Sequence, residues 1–277
     1  MLAANSGTCI MSLRQPAIFV PHGGGPCFWL DGPPPFGKEA WANLRAYLES
    51  IVASLPERPK AFLVCTAHWE EDAPTVSINP APGMLFDYYN FPPHTYKLSY
   101  PAPGDPALAE RVKGLIADAG LEPAVDGKRG FDHGVFVPFL IIDPEARIPV
   151  VMLSLRHDLD PEFHIRLGRA LAPLRDEGVA IVGSGMSYHD LRHFRDGDGR
   201  ASKIFDAWLG DAATAAPAQR DARLVHWAEA PMGRQCHPRE EHLLPLMVVA
   251  GAAGDSEGAV AFRDEIGGKT ISAYRFG

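Results

Sequence analysis

Five of the eleven histidines stand on short punctuations rich in glycine, proline or aromatic residues. They are His22 in Val20-Pro21-His22-Gly23-Gly24-Gly25, His68 in Cys65-Thr66-Ala67-His68-Trp69, and His133 in Phe131-Asp132-His133-Gly134. The other two are His189 in Gly183-Ser184-Gly185-Met186-Ser187-Tyr188-His189-Asp190-Leu191 and His242 in Glu240-Glu241-His242-Leu243-Leu244-Pro245-Leu246. Three of them follow runs that read as buried strands: Ala17–Val20, Ala61–Cys65 and Val179–Val182. In an α/β sheet, side chains just past the strand ends converge on one crevice. Imidazoles gathered there are the usual material of a non-haem metal site. The pattern predicts a metalloenzyme.

Other constellations are weaker. His189 and His193 are spaced for one helix face, but Asp190-Leu191-Arg192 lacks the glutamate of the metalloprotease pattern. His193 reads as a solvated residue of the charged stretch Arg192–Arg200. Cys236 and His237 are adjacent, which is sterically awkward for one ion, and His94, His157, His164 and His226 read as structural or surface positions. Gly183-Ser184-Gly185 is one residue short of the nucleophile elbow Gly-x-Ser-x-Gly, so a serine hydrolase is not expected.

The elements that must position these histidines alternate along the chain. Pro16–Val20 reads as a strand running into the His22 glycine loop, which Pro33-Pro34-Pro35 ends. Lys38–Ser54 then has Trp41, Leu44, Leu48, Ile51 and Val52 on one helical face. Further strands are predicted at Lys60–Thr66, Thr75–Ile78, Val150–Leu155, Val179–Gly183 and Ser272–Phe276. Helices are predicted at Ala107–Ala119, Val135–Ile142, Pro161–Glu177, Ser202–Leu209 and from about Pro238 to Ala250. Between Pro80 and Asp105 lies a long aromatic loop with Phe86, Tyr88, Tyr89, Phe91 and Tyr96. Loops of that length in a compact domain are more often functional than filler, so it could cover a planar substrate. The alternation predicts a single α/β domain, its central sheet mostly parallel or mixed and flanked by helices, over residues 16–277 after a short N-terminal extension, residues 1–15.

Composition excludes several classes of function. A net charge of −8 with scattered basic residues argues against nucleic acid as a partner. No apolar stretch approaches the ~20 residues that span a bilayer, so no membrane partner is expected. Met1–Ser12 lacks a charged n-region and a long apolar h-region, and reads as a poor signal peptide. The four cysteines, Cys9, Cys27, Cys65 and Cys236, form no Cys-x-x-Cys pair, and Cys65 reads as a reduced core thiol. The expected compartment is the cytoplasm. Oligomeric state is not legible.

Taken in order, the motifs resemble the class III extradiol ring-cleavage dioxygenases, in the branch typified by DOPA dioxygenases. The resemblance runs from Pro16 to about Ala250. It rests on His22-Gly23-Gly24, Ala67-His68-Trp69, Tyr96…Tyr100-Pro101-Ala102-Pro103-Gly104 and Gly130-Phe131-Asp132-His133-Gly134. Gly183-Ser184-Gly185…His189-Asp190-Leu191 and Glu241-His242-Leu243-Leu244-Pro245-Leu246 complete it. The chain departs from many members at Gly24-Gly25-Pro26, where Ser-Pro is frequent, and at Asp190, where Asn is common.

The resemblance implies a dioxygenase that opens a catechol ring with O₂ at Fe(II), with Zn(II) able to occupy the same site. By it His22, His68 and His242 are metal ligands, and His189 is a fourth ligand or a catalytic imidazole. More distant relatives use a glutamate in the ligand face, for which Glu241 is the candidate here beside His242. The resemblance gives His133 the acid–base role, with His189 as second participant, a task suited to imidazole at ordinary pH. Asp132 could orient His133. Two alternatives share the same histidines: a zinc-dependent hydrolase and a non-enzymatic interaction module like the Memo proteins.

Overall fold

Alternating two-sided burial along the central strands shapes this molecule. In the computed structural model, which describes residues 13–33, 35–194 and 196–277, the strands are β1 (Ala17–Pro21), β2 (Ala61–Glu71), β3 (Thr75–Ser77), β4 (Ala124–Asp126), β5 (Val150–Arg156), β6 (Val179–Gly185), β7 (Gly258–Ile266) and β8 (Lys269–Phe276). They form one eight-stranded sheet in the order β4-β3-β5-β2-β6-β1-β8-β7. The neighbours β5, β2, β6 and β1 run parallel, while β3 is antiparallel to β5 and β8 to β1. The sheet is mixed, around a parallel centre.

The helices are α1 (Ala42–Ser54), α2 (Pro106–Asp118), α3 (His133–Ile142), α4 (Pro161–Leu171), α5 (Pro173–Asp176), α6 (Arg200–Ala213), α7 (Pro217–Val225), α8 (Gly233–Cys236) and α9 (Leu244–Ala253). Phe19, Leu63, Val151 and Ile181 share a core with residues of α4 and α9. Val20, Val64, Met152 and Val182, their neighbours in sequence, share the other core with α1 and α3. Successive strand residues point to opposite faces, so continuous apolar runs are what a sheet covered on both sides requires. His22 falls on the same parity as Val20, the α3-side residue of β1.

Several expected boundaries move, each for a local reason. Pro161–Glu177 is two helices, because Pro173 has no N–H to continue the ladder and begins α5. The last long helix begins at Leu244, not near Pro238, leaving His242 in the turn before it. Strand β2 runs on past Thr66 to Glu71, with a register shift against β5 between Cys65 and Glu70. His68 therefore lies within that shifted segment rather than beyond the strand. Cys9 and the rest of Met1–Ser12 lie outside the described residues.

Gly183 and Gly185 owe their place to close approach, not to nucleophile chemistry. A Cβ on Gly185 would sit 2.2 Å from the carbonyl oxygen of His242, and one on Gly183 would sit 2.4 Å from that of Pro245. The bare β6 backbone lets the start of α9 lie against it, and the Met186 N–H donates to the His242 carbonyl at 2.9 Å. Ser184 Oγ donates to the Gly134 carbonyl, tying β6 to α3.

Candidate metal centre and acid–base residues

The ends of β1 and β6 and the part of β2 beyond their pairing deliver the first histidines. Val20 and Thr66 both pair with Ser184, and Pro21 pairs with Gly185, so β1 and β6 end together while β2 leaves β6 at Thr66 and continues to Glu71. His22 follows Pro21 and its N–H donates to the Gly185 carbonyl at 3.1 Å. The loop beyond turns at once, with Gly23 at φ +85°, a conformation costly for residues with a Cβ. His242 arrives from the turn before α9, held by the β6 contact just described.

These elements bring His22, His68 and His242 together. One ligand-capable atom from each lies within 4.8 Å of the others. The Nε2 atoms of His22 and His68 are 3.2 Å apart. Nδ1 of His22 is 2.8 Å from the Gly23 carbonyl, which can only accept, so Nδ1 carries the proton and Nε2 presents a lone pair. Nδ1 of His242 is 2.9 Å from Glu241 Oε1, and its Nε2 is buried with no hydrogen-bond partner. A buried acceptor without a donor costs about 1–3 kcal/mol, and convergent lone pairs repel unless a cation sits among them. The residues fit a metal ion. Burial, and then neighbouring imidazoles, depress the pKa of all three well below 6.5, which keeps them in the neutral form that coordination requires.

The other two histidines flank this triad. The ring of His133 lies 3.9 Å from that of His68 and 5.4 Å from that of His22, centre to centre. The ring of His189 stacks on that of His242 at 3.3 Å. All five sequence-predicted histidines are thus contiguous. His193 is mostly exposed and paired with Asp190 at 2.6 Å, while His94 bonds to the Trp29 carbonyl at 2.9 Å. His237 is buried with Nε2 on the Ser187 carbonyl at 3.0 Å, and burial pushes the neighbouring Cys236 thiol up to about 12. Cys236 and His237 belong to no group of converging ligand atoms among the described residues.

Two carboxylates complete the cluster, and sequence reasoning found only one of them. Glu241 reaches His242 and also His189, whose Nδ1 is 3.4 Å from Oε1. Burial opposes ionisation of Glu241, but its contacts with His189 and with Arg239 outweigh this and hold its pKa below the ordinary value. Arg239 in turn grips Glu70 at the end of β2 through two contacts of 2.5 Å.

Asp87 is the carboxylate that was missed. Its Oδ1 accepts from the His133 backbone N–H at 2.9 Å and from ring Nδ1 at 2.7 Å, and its Oδ2 is 3.6 Å from His68 Nδ1. Asp132, the expected orienting residue, does not do this. Its side chain accepts from Thr66 Oγ1 at 2.8 Å and from Arg129 at 3.1 Å. As the residue preceding α3, it points its carboxylate away from its neighbour's ring. Burial, and then the nearby charge of Asp87, raise the Asp132 pKa.

The aromatic loop is packed rather than open. Phe86, Tyr88, Phe91 and Tyr96 contact one another and Phe136 of α3, and the Tyr88 ring stands edge-on to His133 at 5.8 Å. Tyr88 Oη donates to the Thr95 carbonyl at 2.7 Å. Tyr89 alone of the five rings is exposed, at 80%.

Residues 16–275 match the family described as the catalytic LigB subunit of aromatic ring-opening dioxygenase. The chain belongs to this family. It is an extradiol ring-cleaving dioxygenase, and members of the LigB family work with a non-haem metal. The chain is 38% identical over 265 residues to the 4,5-DOPA dioxygenase extradiol of Beta vulgaris, covering 94% of this chain and 95% of that protein. It is 39% identical over 282 residues to dioxygenase tasH of Hapsidospora irregularis, covering 95% and 85%. A crystal structure of the uncharacterized protein JW3007 from Escherichia coli K12 superposes with a TM-score of 0.77 at 29% identity, covering 95% of this chain and 100% of that one. These relatives do not favour the hydrolase or the interaction module. No helix among the described residues is long and apolar enough to cross a membrane.

Proposed function

We propose that this LigB-family enzyme cleaves a catechol at Fe(II) held by His22, His68 and His242, with His133 as the acid–base residue. The observation that carries the reading is the convergence of buried, neutral imidazoles, two of them with Nδ1 already committed to an acceptor. When bound, the ion lowers the pKa of the catechol hydroxyls and holds catechol and O₂ in one geometry.

The protein supplies the rest. The Nδ1 of His133 is bound to Asp87, leaving Nε2 to take a catechol proton and later return it. His189, stacked on His242 and partly buried at the site's edge, serves as a second acid–base group, or as a fourth ligand when zinc is bound. The same imidazoles would also hold zinc, which outcompetes ferrous iron at most nitrogen and oxygen sites. The packed rings of Phe86, Tyr88, Phe91 and Tyr96 form the apolar wall that a planar substrate needs. Cytoplasmic residence accords with Cys27, Cys65 and Cys236 being unpaired and buried.

The names of the relatives make 3,4-dihydroxyphenylalanine the first catechol to try. The deciding experiment is oxygen consumption after anaerobic Fe(II) loading, with a catechol panel and visible absorbance followed together. Uptake coupled to a new absorbing ring-opened product is expected. Silence across the panel, with iron verified in the protein, would overturn the proposed metal and substrate.

A further inference from the structure

The acid–base histidine is oriented by a residue from a distant part of the chain. His133 offers two donors, its backbone N–H and its ring Nδ1, and both go to the same oxygen of Asp87 at 2.9 and 2.7 Å. The neighbouring Asp132 is already committed to Thr66 and Arg129. Nothing nearer in sequence takes the ring nitrogen.

The segment carrying Asp87 is fixed where it must be for this. Phe131 N–H donates to the Gly83 carbonyl at 2.8 Å, and Leu85 N–H donates to the Phe131 carbonyl at 2.7 Å. This short parallel pairing ties the aromatic segment to Phe131, two residues before His133. Phe86 then packs on Phe136 and Tyr88 on the His133 ring itself. Asp87 lies between these two aromatic anchors, so the segment cannot move without moving the acceptor.

We propose that Asp87 is a positioning residue for His133. By accepting the Nδ1 proton it selects the tautomer whose free nitrogen is Nε2, and it makes the aromatic segment part of the acid–base machinery. The proposal rests on the acid–base role given to His133 above. A carboxylate acceptor on one ring nitrogen is the general device for fixing an imidazole's tautomer and orientation. The second carboxylate oxygen, 3.6 Å from His68 Nδ1, places the same residue beside the metal triad.

The test uses Asp87→Ala and Asp87→Asn in the full chain. Asp87→Ala removes the acceptor, whereas Asp87→Asn keeps an oxygen in its place. Long-range proton–nitrogen correlation spectra of ¹⁵N-histidine-labelled, zinc-loaded protein at one fixed pH report which ring nitrogen of His133 carries the proton. The His133 signals are assigned by their loss in His133→Ala. The parent and Asp87→Asn are expected to show His133 protonated at Nδ1, and Asp87→Ala to lose that pattern.

In the iron-loaded enzyme, Asp87→Ala should lower kcat by about 10- to 100-fold with KM for the catechol within about threefold. Iron stoichiometry should be unchanged, and Asp87→Asn should stay within about fivefold of the parent. The proposal is overturned by an Asp87→Ala protein that keeps the Nδ1 pattern, keeps kcat, or loses its iron. It is equally overturned by Asp87→Asn losing the pattern, and that arm stands even if Asp87→Ala does not fold. A parent enzyme that binds iron yet consumes no O₂ with any catechol would count against the catechol reading instead. The nitrogen pattern would still report on Asp87.

Discussion

Asp87 and Glu241 each lie between two histidines, but the hydrogen bond of Asp87 goes to His133 outside the converging triad and that of Glu241 to His242 within it. Asp87 lies between Nδ1 of His133 and Nδ1 of His68, at 2.7 and 3.6 Å, and Glu241 lies between Nδ1 of His242 and Nδ1 of His189, at 2.9 and 3.4 Å. Each carboxylate thus spans one member of the converging triad and one imidazole outside it. Carboxylates placed on the far nitrogens raise ligand basicity and fix ring orientation.

Glu241 should therefore support the ion without holding it. Glu241→Ala is expected to weaken metal affinity by about 10- to 100-fold. His242→Ala should abolish stoichiometric binding. Isothermal titration of the metal-free variants with zinc separates the two. Equal losses would make Glu241 itself a ligand.

Ligand and acid–base roles should separate in the same way. His68→Ala should lose the metal, because one of the three converging lone pairs is gone. His133→Ala should keep the metal and lose ring cleavage by about 10²- to 10⁴-fold, the usual worth of a positioned acid–base group. Metal analysis beside O₂ uptake checks both. A His68→Ala protein with full metal content and normal turnover would refute the assignment.

Gly185→Ala tests the contact that delivers His242. The added Cβ would meet the His242 carbonyl at 2.2 Å, and backbone on both sides leaves no flexible group to give way. Destabilisation of about 1–3 kcal/mol is expected from overpacking, together with weaker zinc binding. Urea unfolding of the metal-free protein, paired with the zinc titration, reads the two effects separately. Unchanged zinc affinity would mean that His242 tolerates the displacement.

Acid should weaken the fold across a defined window. Burial holds both His164 and His237 at about 4 against an ordinary 6.5. His164 shows why: Nδ1 donates to the Asp160 carbonyl at 2.7 Å while Nε2 accepts from the Arg156 N–H at 3.0 Å, so a second ring proton would face a donor. As pH falls through 6.5 the unfolded chain takes up these protons and the folded chain does not. Stability is therefore present above 6.5, declines between 6.5 and about 4, and levels off for these groups below that. Each contributes on the order of 3 kcal/mol. The triad imidazoles add to the same slope in metal-free protein. Urea midpoints of metal-free protein that stay constant from pH 7 to 4 would contradict it.

Much of this protein is written locally. Apolar runs as short as Phe62–Cys65 and Val179–Val182 read as strands covered on both faces, and their alternation with helical segments reads as a mostly parallel sheet centre. The five punctuated histidines were legible for the same reason, since polar rings after buried strands must meet something. Less visible were α7 and β7. Only Ile266 of β7 is fully buried, so its residues carry little alternating signal.

What only the tertiary structure decided is which groups hold those histidines. From sequence, Asp132 stands next to His133 and is the natural partner, yet adjacent side chains at a helix start diverge, and its carboxylate goes to Thr66 and Arg129. Asp87 lies 46 residues from His133 and reaches it because Phe131 pairs with Gly83 and Leu85. Residue types and local patterns can state that imidazoles will gather at the strand ends. The carboxylate that reaches each ring depends on where distant segments dock, and docking is a property of the packed chain as a whole.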